Sequence, residues 1–303
     1  MNVSPDKLTP TTKNPQHLNI ILSQLRVTQE NIQKDKREYY DEETDKQKIE
    51  QYYKNITLEN SNDNELVQTL SKLLQDTHTN KVSYDPSEYV YPWVDLRPDG
   101  NLTSVYSGRR RKAEEVIKED YAISIKRKEE LEKITDKDQY LMDDRLAQIE
   151  NNFKYNCEHS VPQSWFNRQE PMRGDLHHLF TCEPVCNSIR NNYPYHDFKG
   201  YEPEEMRAKR IEEKCGKADE GLFEPESGKG TVARAMLYFL IRYPDEIESS
   251  YKEGIDKDLL LDWHQNFPPD LYEKHRNQAI YEIQGNRNPF IDFPKEMIKC
   301  FNI

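Results

Sequence analysis

Residues 156–192, NCEHSVPQSWFNRQEPMRGDLHHLFTCEPVCNSIRNN, constrain the fold more than any other stretch of the chain. Tyr155 to Val161 has the β-branched and aromatic character of a short strand. Pro162 ends it, because proline has no N–H to give to a ladder. Residues 163–174 carry Pro171, Gly174 and several charges, and read as a long loop. Leu176, Leu179 and Phe180 then predict a second buried strand. Pro184 suits the first turn of a helix, where its missing N–H costs nothing, and that helix runs through Val185, Asn187 and Arg190. The order is strand, loop, strand, helix. It places Glu158 and His159 at the end of the first strand and Asn187 on the helix.

This order separates two chemical tasks. A hard divalent cation takes oxygen ligands, and Glu158 with the side-chain carbonyl of Asn187 supplies two while leaving room for water and phosphate. A single Mg²⁺ or Mn²⁺ ion fits that oxygen set. His159 points away from its neighbour on a strand and titrates near neutral pH, so it can take a proton from an attacking water. The combination suits metal-assisted phosphodiester hydrolysis.

The pattern Asn156-x-Glu158-His159, Pro162-Gln163-Ser164-Trp165-Phe166, Asp175-Leu176-His177-His178-Leu179 and Asn187-Ser188-x-Arg190-x-Asn192 resembles the bacterial endonuclease I family. Later blocks agree: Phe223-Glu224-Pro225, Lys229-Gly230, Ala233-Arg234-Ala235, and Gln284-Gly285-Asn286-Arg287-Asn288-Pro289-Phe290-Ile291-Asp292. The resemblance covers roughly the last two thirds of the chain. It implies an α+β protein with a ββα-metal (His-Me finger) active site in a mainly helical domain with a small antiparallel sheet. It further implies that His159 is the general base and that Glu158 and Asn187 are the metal ligands. The products would be 5′-phosphate and 3′-hydroxyl ends, from DNA and also RNA, cut with little sequence preference.

Around this centre further residues are candidates. Some relatives carry a glutamate two positions before Asp-Leu-His and use it as an acid. That position is Arg173 here, which makes it a candidate to hold phosphate, with Arg168 and Arg190 as competitors. Asp175 is a supporting carboxylate that orients a backbone group or His159. His177 and His178 alternate across the expected strand, so at most one faces the site, and His177 is the candidate substrate contact. Arg109 opens a basic quartet, Arg109–Lys112, read either as a solvated helix start or as a phosphate-contacting patch.

Composition bounds the rest. With 303 residues, 32% charged side chains and a net charge of −12, the chain cannot present a uniformly basic nucleic-acid surface, so a metal and local arginines must supply any positive field. No apolar run approaches the roughly 20 residues of a membrane span. The amino terminus MNVSPDKLTP lacks the apolar centre of a signal peptide, which predicts a cytoplasmic location, with secretion after signal removal as the alternative. Five cysteines are expected to be mostly free and buried. A disulfide, or a zinc site from Cys157, Cys182, Cys186 and Cys215, is the alternative.

In chain order, a proline-rich leader over residues 1–15 precedes amphipathic helices from Leu18 to Ile56 and from Glu65 to Thr77. Residues 1–80 thus read as a helical amino-terminal extension packed on a nuclease domain at 81–303. Tyr84 to Tyr106 alternates like a hairpin around Pro98-Asp99-Gly100. Residues 113–152 predict a charged helical pair split near Thr135-Asp136, and residues 200–222 a charged helix and loop. Val232–Tyr243 is the most apolar helix, with Arg234 reaching toward the acids of the motif. Further helices begin at Leu259 and Tyr272. The segment from Gln284 to Asp292 ties down the carboxy terminus through buried bonds of Arg287 and Asp292. Two rival readings go with this layout: a nucleic-acid-binding protein without turnover, and a toxin or defence effector whose helical amino terminus binds a partner.

Overall fold

A computed structural model describes residues 8, 14–58, 63–134, 142–201 and 214–301. The proline-rich leader, the split near residue 135 and the charged stretch at 202–213 fall mostly or wholly outside these residues. The described chain is mainly helical with small antiparallel sheets, an α+β architecture.

Helices α1 (Pro15–Lys34), α2 (Glu42–Tyr52) and α3 (Asp63–Thr77) come first. The first begins at Pro15, three residues before the expected Leu18, and both of the first two are capped by a side chain. Asn14 accepts a hydrogen bond from the Gln16 N–H at 2.8 Å, with Pro15 at the first helical position, and Asp41 caps α2. The buried stripe of α1 is Ile21, Leu22, Leu25 and Ile32, the spacing of one helix face. A short helix α4 (Pro86–Tyr89) follows, continued by a π-turn over Val90–Val94.

The hairpin expected over Tyr84–Tyr106 is therefore displaced. Its aromatic and β-branched residues fill the core from helical turns: Val90, Tyr91 and Val94 are all fully buried. The strands that do form are β1 (Asn101–Thr103) and β2 (Arg110–Lys112), antiparallel with Leu102 opposite Arg111. The basic quartet is thus mostly strand, and helix α5 (Ala113–Glu132) starts after it, followed by α6 (Met142–Asn152).

The central motif folds as β3 (Cys157–His159), β4 (Leu179–Thr181) and helix α7 (Pro184–Arg190), with Glu158 paired to Phe180 across the antiparallel ladder. Leu176–His178 is a 3₁₀ turn rather than strand, and Asp175 caps it by accepting from the His177 N–H at 3.1 Å. The β3–β4 pair lies between two hydrophobic clusters. Cys157 and Leu179 face one, with α1 and Val90–Leu96, while Phe180 and Cys182 face the other, with α3, Trp165 and Phe239. Strand alternation sends neighbouring side chains to opposite faces, so a pair buried on both sides is held from two directions.

Residues 216–225 form a hairpin, β5 (Gly216–Asp219) and β6 (Leu222–Pro225), where charged helix and loop were expected. Its two-residue turn, Glu220-Gly221, has φ of 49° and 77°, the positive values of a type I′ turn. Helix α8 (Lys229–Arg242) is buried almost all round, as its composition predicts, and packs against α9 (Lys257–Asn266). Arg234 does not reach the motif. Its guanidinium is spent on Glu273 at 2.5 Å and the Phe267 carbonyl at 2.7 Å. Glu273 belongs to α10 (Leu271–Gln284), capped by Asp270 and stopped by Gly285 at φ 93°.

The carboxy-terminal tie is made as expected. Arg287, fully buried, pairs with Asp292 at 2.8 Å and with Asp45 of α2 at 2.9 Å, joining chain segments 242 residues apart. Removing one member of such a group leaves buried charge uncompensated. Arg287→Met is expected to lower the unfolding free energy in urea by about 3–5 kcal/mol. A loss below about 1 kcal/mol would mean the pair behaves like a surface contact.

Candidate active site

Glu158, His159, Asn187, Arg168 and Lys154 line one cavity of about 270 Å³. Glu158 and His159 arrive from the end of β3, and Asn187 from α7, whose start is fixed by Pro184.

Glu158 is 3% exposed, and burial pushes its pKa up to about 7 against the opposing pull of Arg190 and Tyr106. The Tyr106 hydroxyl donates to Oε1 at 2.8 Å, and Arg190 Nε lies 3.3 Å from the same oxygen as a charge contact without hydrogen-bond alignment. Arg190 is fixed in turn by donating to the Ser160 and Asn191 carbonyls at 2.9 and 3.0 Å. Fully buried, it holds the carboxylate and faces no open phosphate site.

His159 Nε2 lies 3.0 Å from the Arg173 carbonyl. A carbonyl only accepts, so Nε2 carries the proton and the neutral ring keeps its lone pair on Nδ1. Burial first, and then His178 and Arg173 nearby, hold its pKa well below the ordinary histidine value, so the base form is the populated one at neutral pH. The Tyr84 ring, 4.8 Å away between centroids, packs against the imidazole.

Asn187 donates from Nδ2 to the Cys157 carbonyl at 2.9 Å, which fixes the amide and leaves Oδ1 out of that bond. Both close contacts of Glu158 fall on Oε1, so Oε2 is spent on neither. One carboxylate and one amide oxygen, with water completing the shell, is a donor set that suits a magnesium-like ion. Among the described residues no cluster of three or more His, Cys, Asp or Glu side chains gathers to hold a metal, so the four-cysteine zinc alternative fails. Cys186 is instead disulfide-bonded to Cys215, while Cys157, Cys182 and Cys300 are free and buried. The expectation of mostly free thiols holds for those three and is corrected for the bonded pair. The bridge ties α7, at the residue beside Asn187, to the residue just before β5.

Other candidates sit elsewhere. Arg173 lines an adjoining cavity of about 130 Å³, donates to Gln163 at 2.9 Å, lies 3.7 Å from Glu170 and stacks over Tyr84. Its link to His159 runs through its carbonyl. Arg168 makes two contacts with Glu150, at 2.7 and 2.6 Å. Arg109 pairs with Glu183 at 3.2 Å and does not line the cavity. His177 turns away: its Nε2 is 3.3 Å from the Asn286 carbonyl and its ring packs on Tyr238. Asp175 does not touch His159. It accepts from Tyr238, Tyr243 and Gln284 at 2.8, 3.0 and 3.1 Å, locking the turn before β4 to α8 and α10.

Sequence reasoning missed Lys154 and the role of Tyr106. Tyr106 read as scaffold, and nothing local marks it as a donor to Glu158. Lys154 did carry a signal, a basic residue between the aromatics Phe153 and Tyr155 just before the motif strand.

A buried histidine, the carboxylate next to it and a helical amide thus face one cavity, which groups a proton acceptor with two oxygen donors. The Endonuclease I family model matches residues 63–295, and the chain belongs to that family. It is 30% identical over 129 residues to an extracellular deoxyribonuclease of Aeromonas hydrophila, covering 42% of this chain and 51% of that protein. It is 36% identical over 136 residues to an extracellular ribonuclease of Bacillus amyloliquefaciens, covering 40% and 44%. To Endonuclease-1 of Buchnera aphidicola it is 27% identical over 139 residues, covering 45% and 51%. The chain thus spans about half the length of the curated relatives it matches. Relatives from Aeromonas hydrophila are named extracellular or periplasmic deoxyribonucleases, which overturns the cytoplasmic expectation drawn from the amino-terminal residues. No helix among the described residues is long and apolar enough to cross a membrane.

Two stability predictions follow from this geometry. Burial pushes the Asp175 carboxyl up, but the histidines and donors around it outweigh that and hold it well below the usual range. The native state therefore binds fewer protons here than the unfolded chain, so the stabilisation is present above the unfolded pKa and is lost as pH falls through the range below about 4. Asp175→Asn is expected to be less stable at neutral pH and to show a flatter acid limb in chemical denaturation from pH 7 to 3. An unchanged limb would exclude this role. Separately, replacing both Cys186 and Cys215 by Ala, which opens a loop of sequence separation 29, should cost about 3–4 kcal/mol in urea melts.

Proposed function

We propose that the protein is a metal-dependent endonuclease that hydrolyses phosphodiester bonds of DNA, and of RNA as a second substrate, with little sequence preference, leaving 5′-phosphate ends. The observation that carries this reading is the convergence of Glu158, His159 and Asn187 on one cavity within a ββα unit. On this reading the unit is a ββα-metal finger. Glu158 and Asn187 would hold one Mg²⁺ or Mn²⁺ ion, which when bound supplies positive charge for the phosphate and for the departing 3′ oxygen.

The remaining work belongs to the chain's own groups. His159 Nδ1 accepts a proton from the attacking water, while the Arg173 carbonyl holds Nε2–H and so fixes ring orientation and tautomer. Arg190 and Tyr106 are positioning residues that keep the Glu158 carboxylate in place. Arg168 at the cavity wall is the arginine best placed to meet substrate. Arg173 serves chiefly through its carbonyl, and Asp175 through the turn that sets β4. Contacts to phosphate carry no base information, and low sequence preference follows. The names of the relatives and the Cys186–Cys215 disulfide together support an oxidising, extracytoplasmic setting.

The test is nicking of supercoiled plasmid by wild type, His159→Ala and Glu158→Gln, each with Mg²⁺ and with EDTA. Wild type should cut only with the metal, and His159→Ala should be slower by about 10²–10⁴-fold. An inert wild type across divalent metals would sink the assignment and favour the binding reading, and full activity in His159→Ala would remove His159 as the general base.

A further inference from the structure

The cations around the site are mostly committed to protein carboxylates: Arg190 to Glu158, Arg168 to Glu150, and Arg109 to Glu183. Lys154 is different. It enters no salt bridge among the described residues, although it is half-buried and lies within the field of Glu158 and Glu150. It lines both the cavity that holds His159 and the adjoining one, which also share Gln163 and Asn187.

The backbone at Lys154 is fixed on both sides. The Phe153 carbonyl accepts from Arg127 Nε at 2.7 Å, and the Arg127 guanidinium lies 4.0 Å over the Tyr155 ring, whose hydroxyl is 3.0 Å from Ser124. Tyr155 is buried in one core cluster and Phe153 packs against another, and the lysine between them lines both cavities. An ammonium held half out of water with no salt bridge among the described residues is costly, and an anionic ligand relieves that cost.

We propose that Lys154 contacts a substrate phosphate next to the scissile one, the two adjoining cavities forming a track for the nucleic-acid backbone. This rests on the nuclease reading for its substrate. The lysine binds and orients the strand, and His159 handles the proton. A purely structural lysine would affect folding without changing the number of counter-ions released on binding.

The experiment measures affinity of a fluorescein-labelled duplex DNA oligonucleotide for His159→Ala and for His159→Ala with Lys154→Gln or Lys154→Arg, in Mg²⁺ over a range of salt, with thermal melts as the fold check. Lys154→Gln should weaken binding about tenfold and reduce the slope of log affinity against log salt by about 1, and Lys154→Arg should restore the slope. Equal affinities and slopes in all three, absence of binding, or weaker binding with an unchanged slope overturns the proposal. Because turnover plays no part in this readout, an inactive wild type whose binding still responds to Lys154 would defeat the nuclease reading alone.

Discussion

The pairing of Glu158 with Arg190 is the constraint on which the rest of the site depends. A carboxylate 3% exposed cannot stay charged without a compensating group, and its pKa, pushed up to about 7, records how nearly burial wins. Arg190 stands on the last turn of α7, three residues after Asn187. The contact that keeps Glu158 ionisable therefore also sets the distance between strand and helix, and with it the spacing of the two candidate ligands. Tyr106 adds a neutral donor from a different part of the chain, and its hydroxyl meets that of Tyr195 at 2.8 Å. The site is assembled from one local motif, the tyrosine just after it and a distant one, Tyr106.

The same device recurs through the interior. Arg276 meets Asp95, Arg234 meets Glu273, and Arg287 meets Asp45 and Asp292, all buried. A chain that is 35% hydrophobic with a mean hydropathy of −1.04 builds its core partly from paired ions. Buried pairs contribute little net stability compared with apolar packing, but a broken pair is costly. They therefore act as registration points, penalising any arrangement in which α2, α10 and the tail fail to meet. Asp175 plays the equivalent part at the turn before β4, gathering donors from α8 and α10.

Legibility in the sequence followed how local each determinant is. The ββα unit was readable because Pro162, Pro184 and the spacing of Glu158, His159 and Asn187 all act within one short stretch. Tyr84–Tyr106 misled because its aromatic residues signal burial, and burial does not distinguish a strand from a short helical turn. The β5–β6 hairpin was passed over although Glu220-Gly221 is a workable type I′ turn, because charged neighbours masked the alternation. His177 was misplaced by assuming strand where Asp175 caps a 3₁₀ turn. Partners such as Arg287 and Asp45 have no sequence signature, since nothing local relates residues so far apart.

Charge sets the character of any phosphate binding here. At −12 overall, long-range attraction to nucleic acid is repulsive on balance, and screening confines useful fields to about 10 Å at moderate salt. Within that range Arg168 and Arg190 are already matched by Glu150 and Glu158. A basic nuclease gains affinity by releasing many counter-ions; a net charge of −12 works against that route here. On the proposed reading, affinity for phosphate would come from a small number of short, desolvated contacts inside the cavity walls, where the effective dielectric is low and each charge counts for more. A half-buried lysine with no salt bridge among the described residues is the kind of group such a strategy requires, and it has the strongest effect where acids such as Glu150 and Glu158 occupy the neighbouring arginines.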